Sequence, residues 1–415
     1  MVAGSGSITM SDSSLFTTSG TNGDIRLLAS QNVIVGDIET TTADVSITAT
    51  AVSITDADAL VGVANDNDLD ITALGLRLNA GVGVGEVVDH LETTVGTVSA
   101  RATSGGIYLF ESNGVTVGDV AVTTNRVGVT GETTTNDSSD STQSDLRTTA
   151  NNGNIVLVAG GTLILDDGTA TADSTAISAH GSGNILLKTT SGLLDINAAV
   201  KSDTGNITIW NTTGAIEQDA VTISTDGGTI DIEAMDATNG SITMVAGSTI
   251  VTDGNSTTGG NIRLKSGAGM SITGINAGSA HVSLLAGSFI KDIGETTTDV
   301  VANHLRIDAG SWVGEASGTN LGLLDISVTR LSVRAGNSIY FNELSDITVD
   351  TTDAITVNRV KDDGGVLNSV ETDAKQSDLV TTANDGNIVL VAAGNLTFND
   401  GTDVLAGENV TEDNT

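Results

Sequence analysis

A polar turn followed by alternating apolar residues recurs along this 415-residue chain, and it restricts the backbone to short strands at a near-constant step. The motif reads Asn152-Gly153-Asn154-Ile155-Val156-Leu157, then Ser182-Gly183-Asn184-Ile185-Leu186-Leu187, then Thr204-Gly205-Asn206-Ile207-Thr208-Ile209. It returns as Asn239-Gly240-Ser241-Ile242-Thr243-Met244 and Gly259-Gly260-Asn261-Ile262-Arg263-Leu264. Asn-Gly pairs supply left-handed backbone at low cost. The Ile-x-Leu alternation sends one set of side chains inward and the other outward. First strand residues fall at Ile155, Ile185, Ile207, Ile230, Ile242, Ile262, Val282 and Leu305, with gaps of 30, 22, 23, 12, 20, 20 and 23. A second strand often follows within the same step, as Leu163 follows Ile155. A coil of about 20 residues holding two or three short strands is one rung of a solenoid. The pattern therefore predicts an all-β, right-handed parallel β-solenoid with rungs of about 20–23 residues. Ile155, Leu157, Ile185, Leu187, Ile207, Ile209, Ile242, Met244, Ile262 and Leu264 should fill its interior.

Composition agrees with a ladder that runs without interruption. Proline, which removes a backbone donor and is barred from central strands, is absent from the whole chain. Aromatic residues make up 2% while the apolar fraction reaches 38%, which suits many thin layers of aliphatic side chains better than one bulky core. Cysteine is also absent, so disulfides and thiolate metal sites are excluded. The formal charge of −36 disfavours nucleic acid and anionic membranes as partners. No apolar run approaches the roughly 20 residues of a membrane helix, so membrane insertion is not expected.

A second, longer period is superimposed on the first. Gln143-Ser144-Asp145-Leu146 returns as Gln376-Ser377-Asp378-Leu379, and Asn154-Ile155-Val156-Leu157-Val158-Ala159 returns as Asn387-Ile388-Val389-Leu390-Val391-Ala392, both offset by 233. Ile25-Arg26-Leu27 matches Ile262-Arg263-Leu264 at 237, Leu76-Arg77 matches Leu305-Arg306 at 229, and Met1-Val2-Ala3-Gly4-Ser5 matches Met244-Val245-Ala246-Gly247-Ser248 at 243. The drift marks small insertions. Residues 1–243 thus form a first long repeat unit and 244–415 a second, incomplete one, expected as one continuous rod. The register further predicts native sequence like Asn239-Gly240-Ser241-Ile242-Thr243 before Met1, and like Gly183-Asn184-Ile185 after Thr415. Insertions and polar stretches, at Asp56 to Leu74, Glu132 to Ser144 and Asp362 to Ser377, are the places where side loops should leave the coil, chiefly as solvated turns.

The run from Gly153 to Thr169 resembles a rung of the filamentous haemagglutinin-like proteins, as does its second copy from Gly386 to Thr402. The resemblance implies a secreted bacterial adhesin with a right-handed parallel β-helix, and it carries over no catalytic residue.

Sites for chemistry are few. His90, His180, His281 and His304 form no metal-binding spacing and should occupy surfaces or turns. Asn65-Asp66-Asn67-Asp68-Leu69-Asp70 alternates oxygen ligands, which makes Asp66, Asp68 and Asp70 a candidate calcium site, although the glycine and terminal glutamate of an EF-hand loop are missing. No other cofactor is expected. Asp166-Asp167 and Asp362-Asp363 are adjacent, so in extended backbone they would diverge and could not act as a glycosidase pair. Threonine tracts such as Thr296-Thr297-Thr298 are too irregular for a flat ice-binding face.

These observations favour a structural role over an enzyme. The expectation is the shaft of an extracellular or cell-surface bacterial fibre or giant adhesin, with the chain itself as partner, end to end or laterally. The alternative is a host- or glycan-binding adhesin module.

Overall fold

Glycine decides how closely successive coils can stack. The computed structural model describes residues 1–19, 23–57, 68–170, 173–253, 259–315, 322–383, 385–401 and 410–411, and these are all-β, with most strands in parallel register. A Cβ added to Gly183 would lie 2.2 Å from the carbonyl oxygen of Gly153, and one on Gly260 would lie 1.9 Å from that of Gly228. Gly287, Gly310 and Gly336 extend the same contact, each about as close to the glycine one coil before. No side chain fits there. The left-handed backbone at the turn before Ile155 belongs instead to Asn151 and Asn152, with φ of 55° and 59°. The asparagines after Gly153 and Gly205 tie one coil to the next. The Asn154 side-chain oxygen accepts from the Asn184 backbone N–H at 2.9 Å, and that of Asn206 accepts from the Thr229 N–H at 3.0 Å. Turn and coil-to-coil bond are therefore encoded in one short motif.

The chain divides into two units. Unit 1 comprises Met1–Gly192, Asn197–Asp203 and Val360–Gly365; unit 2 comprises Leu193–Ile196, Thr204–Arg359 and Val366–Thr415. Each is a parallel β-solenoid. In unit 2 a coil carries three strands, for example Ile230–Ala234, Ile242–Met244 and Thr249–Val251. The next coil continues them in register, as Ile230↔Ile262, Ile242↔Met270 and Ile250↔Ile275. The half-step at Ile242 is thereby corrected. Ile230 stacks directly on Ile262, whereas Ile242 lies on the second face, between Ile216 and Met270. Every residue expected inside is buried, none of the ten more than 3% exposed. The sequence boundary at residues 243/244 falls inside unit 2, in the strand Ile242–Met244.

Both units contain one place where the stacking changes phase. In unit 1 the 12-residue strand Leu91–Ala102 runs along the 10-residue strand Ile71–Ala80 on one edge. On its other edge three short strands share it, through Leu91↔Leu109, Val98↔Val117 and Ala100↔Leu146. Unit 2 repeats this with Val300–Ala309 and Leu324–Ala335, through Leu324↔Phe341, Leu331↔Val349 and Val333↔Leu379. Between the second and third short strands an antiparallel hairpin leaves the coil. It is Val120–Val127 with Thr133–Gln143 in unit 1, and Ile355–Asn358 with Val370–Asp373 in unit 2.

Candidate functional site

The hairpins, expected from the sequence to be solvated turns, make polar contacts with the coil. In unit 1 the hairpin folds back over earlier coils. Arg26 donates from Nε and Nη2 to Asp140 at 2.8 and 2.9 Å, and the Ser46 hydroxyl reaches the same carboxylate at 2.7 Å. Arg77 Nε donates to the Ser141 carbonyl, and the Gln143 amide to the Leu78 carbonyl at 2.8 Å. Unit 2 rebuilds the contacts with the repeat-related residues: Arg263 to Asp373 at 3.0 Å, Arg306 to the Ala374 carbonyl at 2.9 Å, and Gln376 to the Ile307 carbonyl at 2.8 Å. It then adds a buried network. Arg263 also bonds Asp231 at 3.0 Å and Glu233, while Arg359 reaches Asp231, Glu233 and Glu371 and lies 5.0 Å over the Trp210 ring. Burial opposes ionisation of Glu233, yet its bonds to Arg263 and Arg359 overcome this and hold the carboxyl below its ordinary range. The hairpins are clasps, positioned by the phase change that expels them from the coil.

A second pair of acids brackets the same phase change. Glu111, 1% exposed, accepts from the Thr93 hydroxyl at 2.8 Å and the Val95 N–H at 3.0 Å, with the Asn113 N–H on its other oxygen at 3.2 Å. Glu343 repeats this in unit 2 through the Val328 and Ser345 N–H groups. Burial pushes the Glu111 carboxyl up to about 7, despite the hydrogen bonds that favour its charge. Because the folded value lies above the unfolded one, its contribution to stability is complete below about pH 4.5 and is lost as pH rises through 7. Glu111→Gln cannot titrate. The stability advantage of the wild-type chain over this variant should therefore shrink by a few kcal/mol between pH 5 and 8. Urea unfolding at both pH values measures it, and an unchanged difference would show that folding does not raise the Glu111 pKa.

The third feature is a cluster of carboxylates, again present once in each unit. In unit 1 Asp56, Asp70 and Glu92 each place an oxygen within 4.8 Å of the others. In unit 2 Asp292, Glu295 and Asp299 do the same. Asp70 Oδ2 accepts from the Glu92 N–H at 2.7 Å, and Asp299 Oδ2 accepts from the Asp325 N–H at 2.8 Å. Burial raises Asp70 to about 11 and Asp299 to about 9 when the acids face only one another.

Of the residues expected to bind calcium, Asp70 is buried in the unit 1 cluster, with Asp56 and Glu92 as neighbours. Asp68 is exposed and outside that group, and Asp66 lies outside the described residues. Sequence reasoning missed Asp56, Glu92, Asp292, Glu295 and Asp299. The repeat alignment carried the signal, since Asp56 maps to Asp292 and Asp70 to Asp299. Among the histidines, His90 is a correction: it is 1% exposed, with Nε2 3.0 Å from the Asp362 carbonyl oxygen, because it lies under the segment Val360–Gly365 of unit 1. His281 and His304 stack at 4.4 Å on paired strands. The two adjacent acid pairs are engaged separately: Asp166 bonds Asn197, Asp362 bonds Lys188 and Asp363 bonds Lys361.

Comparison with protein-family models, with curated proteins and with solved structures finds no match.

Proposed function

We propose that this chain is a length of the structural shaft of an extracellular bacterial fibre or giant adhesin, one that associates or continues end to end, rung upon rung. One comparison supports the reading. Ile155–Ala159 and Ile388–Ala392 share the sequence Ile-Val-Leu-Val-Ala. The first is paired along both edges, with Ile107–Glu111 and Ile185–Thr189, and no residue in it is more than 6% exposed. The second is paired with Ile339–Glu343, and among the described residues no strand covers its other edge. Val389 is 37% exposed, Val391 50% and Phe398 43%. The same segment is thus buried where strands lie along both of its edges and exposed where, among the described residues, a strand lies along one. Open parallel strands with apolar side chains are templates for another strand.

The natural occupant is a rung of the same kind, from further chain or from a second copy. Sedimentation of the purified chain should show concentration-dependent association, and the double variant Val391→Lys, Phe398→Lys should return it to a monomer. A wild-type chain that stays monomeric at high concentration sinks the end-to-end reading. Antibody labelling of intact cells tests the location, and a signal seen only after lysis would remove the extracellular part of the proposal.

A further inference from the structure

We infer that Asp292, Glu295 and Asp299 form a binding site for a hard divalent cation of the calcium class, and that Asp56, Asp70 and Glu92 form its counterpart in unit 1. The spacing fits. Calcium binds oxygen at about 2.3–2.6 Å, so two oxygens on one ion lie at most about 5 Å apart; the three in each cluster lie within 4.8 Å of one another. An all-oxygen, carboxylate-rich donor set selects calcium-like ions over softer metals.

Two observations separate this from a chance gathering of acids. The first is Asp299. It is 0% exposed, and while its Oδ2 accepts the Asp325 N–H, its Oδ1 has no hydrogen-bond partner among the described residues. A buried oxygen in that state calls for an ion or a donor.

The second observation is the origin of the third carboxylate. The strand position of Glu92 in unit 1 is occupied by Asp325 in unit 2, whose side chain is bonded at 2.6 Å to the Asn342 amide. There the third carboxylate comes instead from Glu295, on the turn between Ile290–Asp292 and Val300–Ala309, where the hydroxyls of Thr273 and Thr297 hold it. Each copy thus reaches three converging acids by a different route. Chain geometry alone would preserve the position and not the count; a common ligand preserves the count.

Calorimetric titration of calcium chloride into the chelator-treated full chain near neutral pH, checked by equilibrium dialysis, should find two ions per chain. Asp299→Asn should leave one, Asp70→Asn should leave one, and the double variant none. Because Asp299 is buried, Glu295→Gln provides a second, half-buried variant that tests the same site with less risk to folding; it should weaken one of the two ions by about tenfold or more. Absence of binding at millimolar calcium would overturn the inference, as would two ions at undiminished affinity in both Asp299→Asn and Glu295→Gln.

Discussion

Replacing Arg263 with alanine should destabilise unit 2 by about 3–5 kcal/mol. The guanidinium is 3% exposed at its side chain and faces Asp231, Glu233 and Asp373, which are at most 7% exposed. Removing it leaves three acids in a low-dielectric interior with Arg359 as the main remaining cation. The loss is therefore larger than that of the pair itself, since uncompensated buried charge is what costs most. Arg26→Ala is the internal control. Its pair with Asp140 is 14% and 12% exposed and involves one carboxylate, so a loss of about 1.5–3 kcal/mol is expected, typical of a charged hydrogen bond. Urea unfolding of both variants gives the order. A cost for Arg263→Ala no greater than for Arg26→Ala would mean that the buried network is no more than decoration on the clasp. A double-mutant cycle with Asp373→Ala isolates the contact between hairpin and coil.

Ile207→Asp should have an effect of similar size. Ile207 is 0% exposed and stacks on Ile230, so a carboxylate there enters an aliphatic ladder. An unpaired buried charge is not tolerated, and the group instead stays protonated at the cost of its shifted pKa. The variant should lose several kcal/mol at pH 7 and recover part of that at pH 4, close to the ordinary aspartate pKa of about 3.9, where the unfolded chain is itself about half protonated. Ile207→Val, which removes one methylene, should cost only about 0.5–1.5 kcal/mol. Thermal unfolding at the two pH values tests this. An Ile207→Asp chain as stable as wild type would place Ile207 outside the core.

The coil was legible because its information is local. Ile207, Ile209, Ile262 and Leu264 lie where an Ile-x-Leu alternation after a glycine turn sends them, and the repeated offset between Leu146 and Leu379 matches two strands in the same structural role. Ile242 was misplaced because periodicity shows that a strand faces inward but not which of three faces it joins. The clasps were hidden for a different reason. Arg26 and Asp140 are 114 residues apart, Arg263 and Asp373 are 110 apart, and no single window contains both. The arginine was visible in both copies of Ile-Arg-Leu, but an arginine on an outward strand position reads as solvated until its partner is known. Asp70 was singled out with its neighbours along the chain, whereas the cluster it joins, with Asp56 and Glu92, is assembled across successive coils.

A stack whose layers touch only their nearest neighbours should fray like a zipper, one layer after another from an open end. The clasp changes this. Arg359 reaches Asp231 across 128 residues, so the hairpin is sewn back into layers laid down much earlier. It acts as a backstitch: pulling the later thread tightens the seam on the earlier one. Within unit 2 the layers between Asp231 and Asp373 then come apart together or not at all, and loading along the axis meets a threshold where an unstitched coil would yield by degrees.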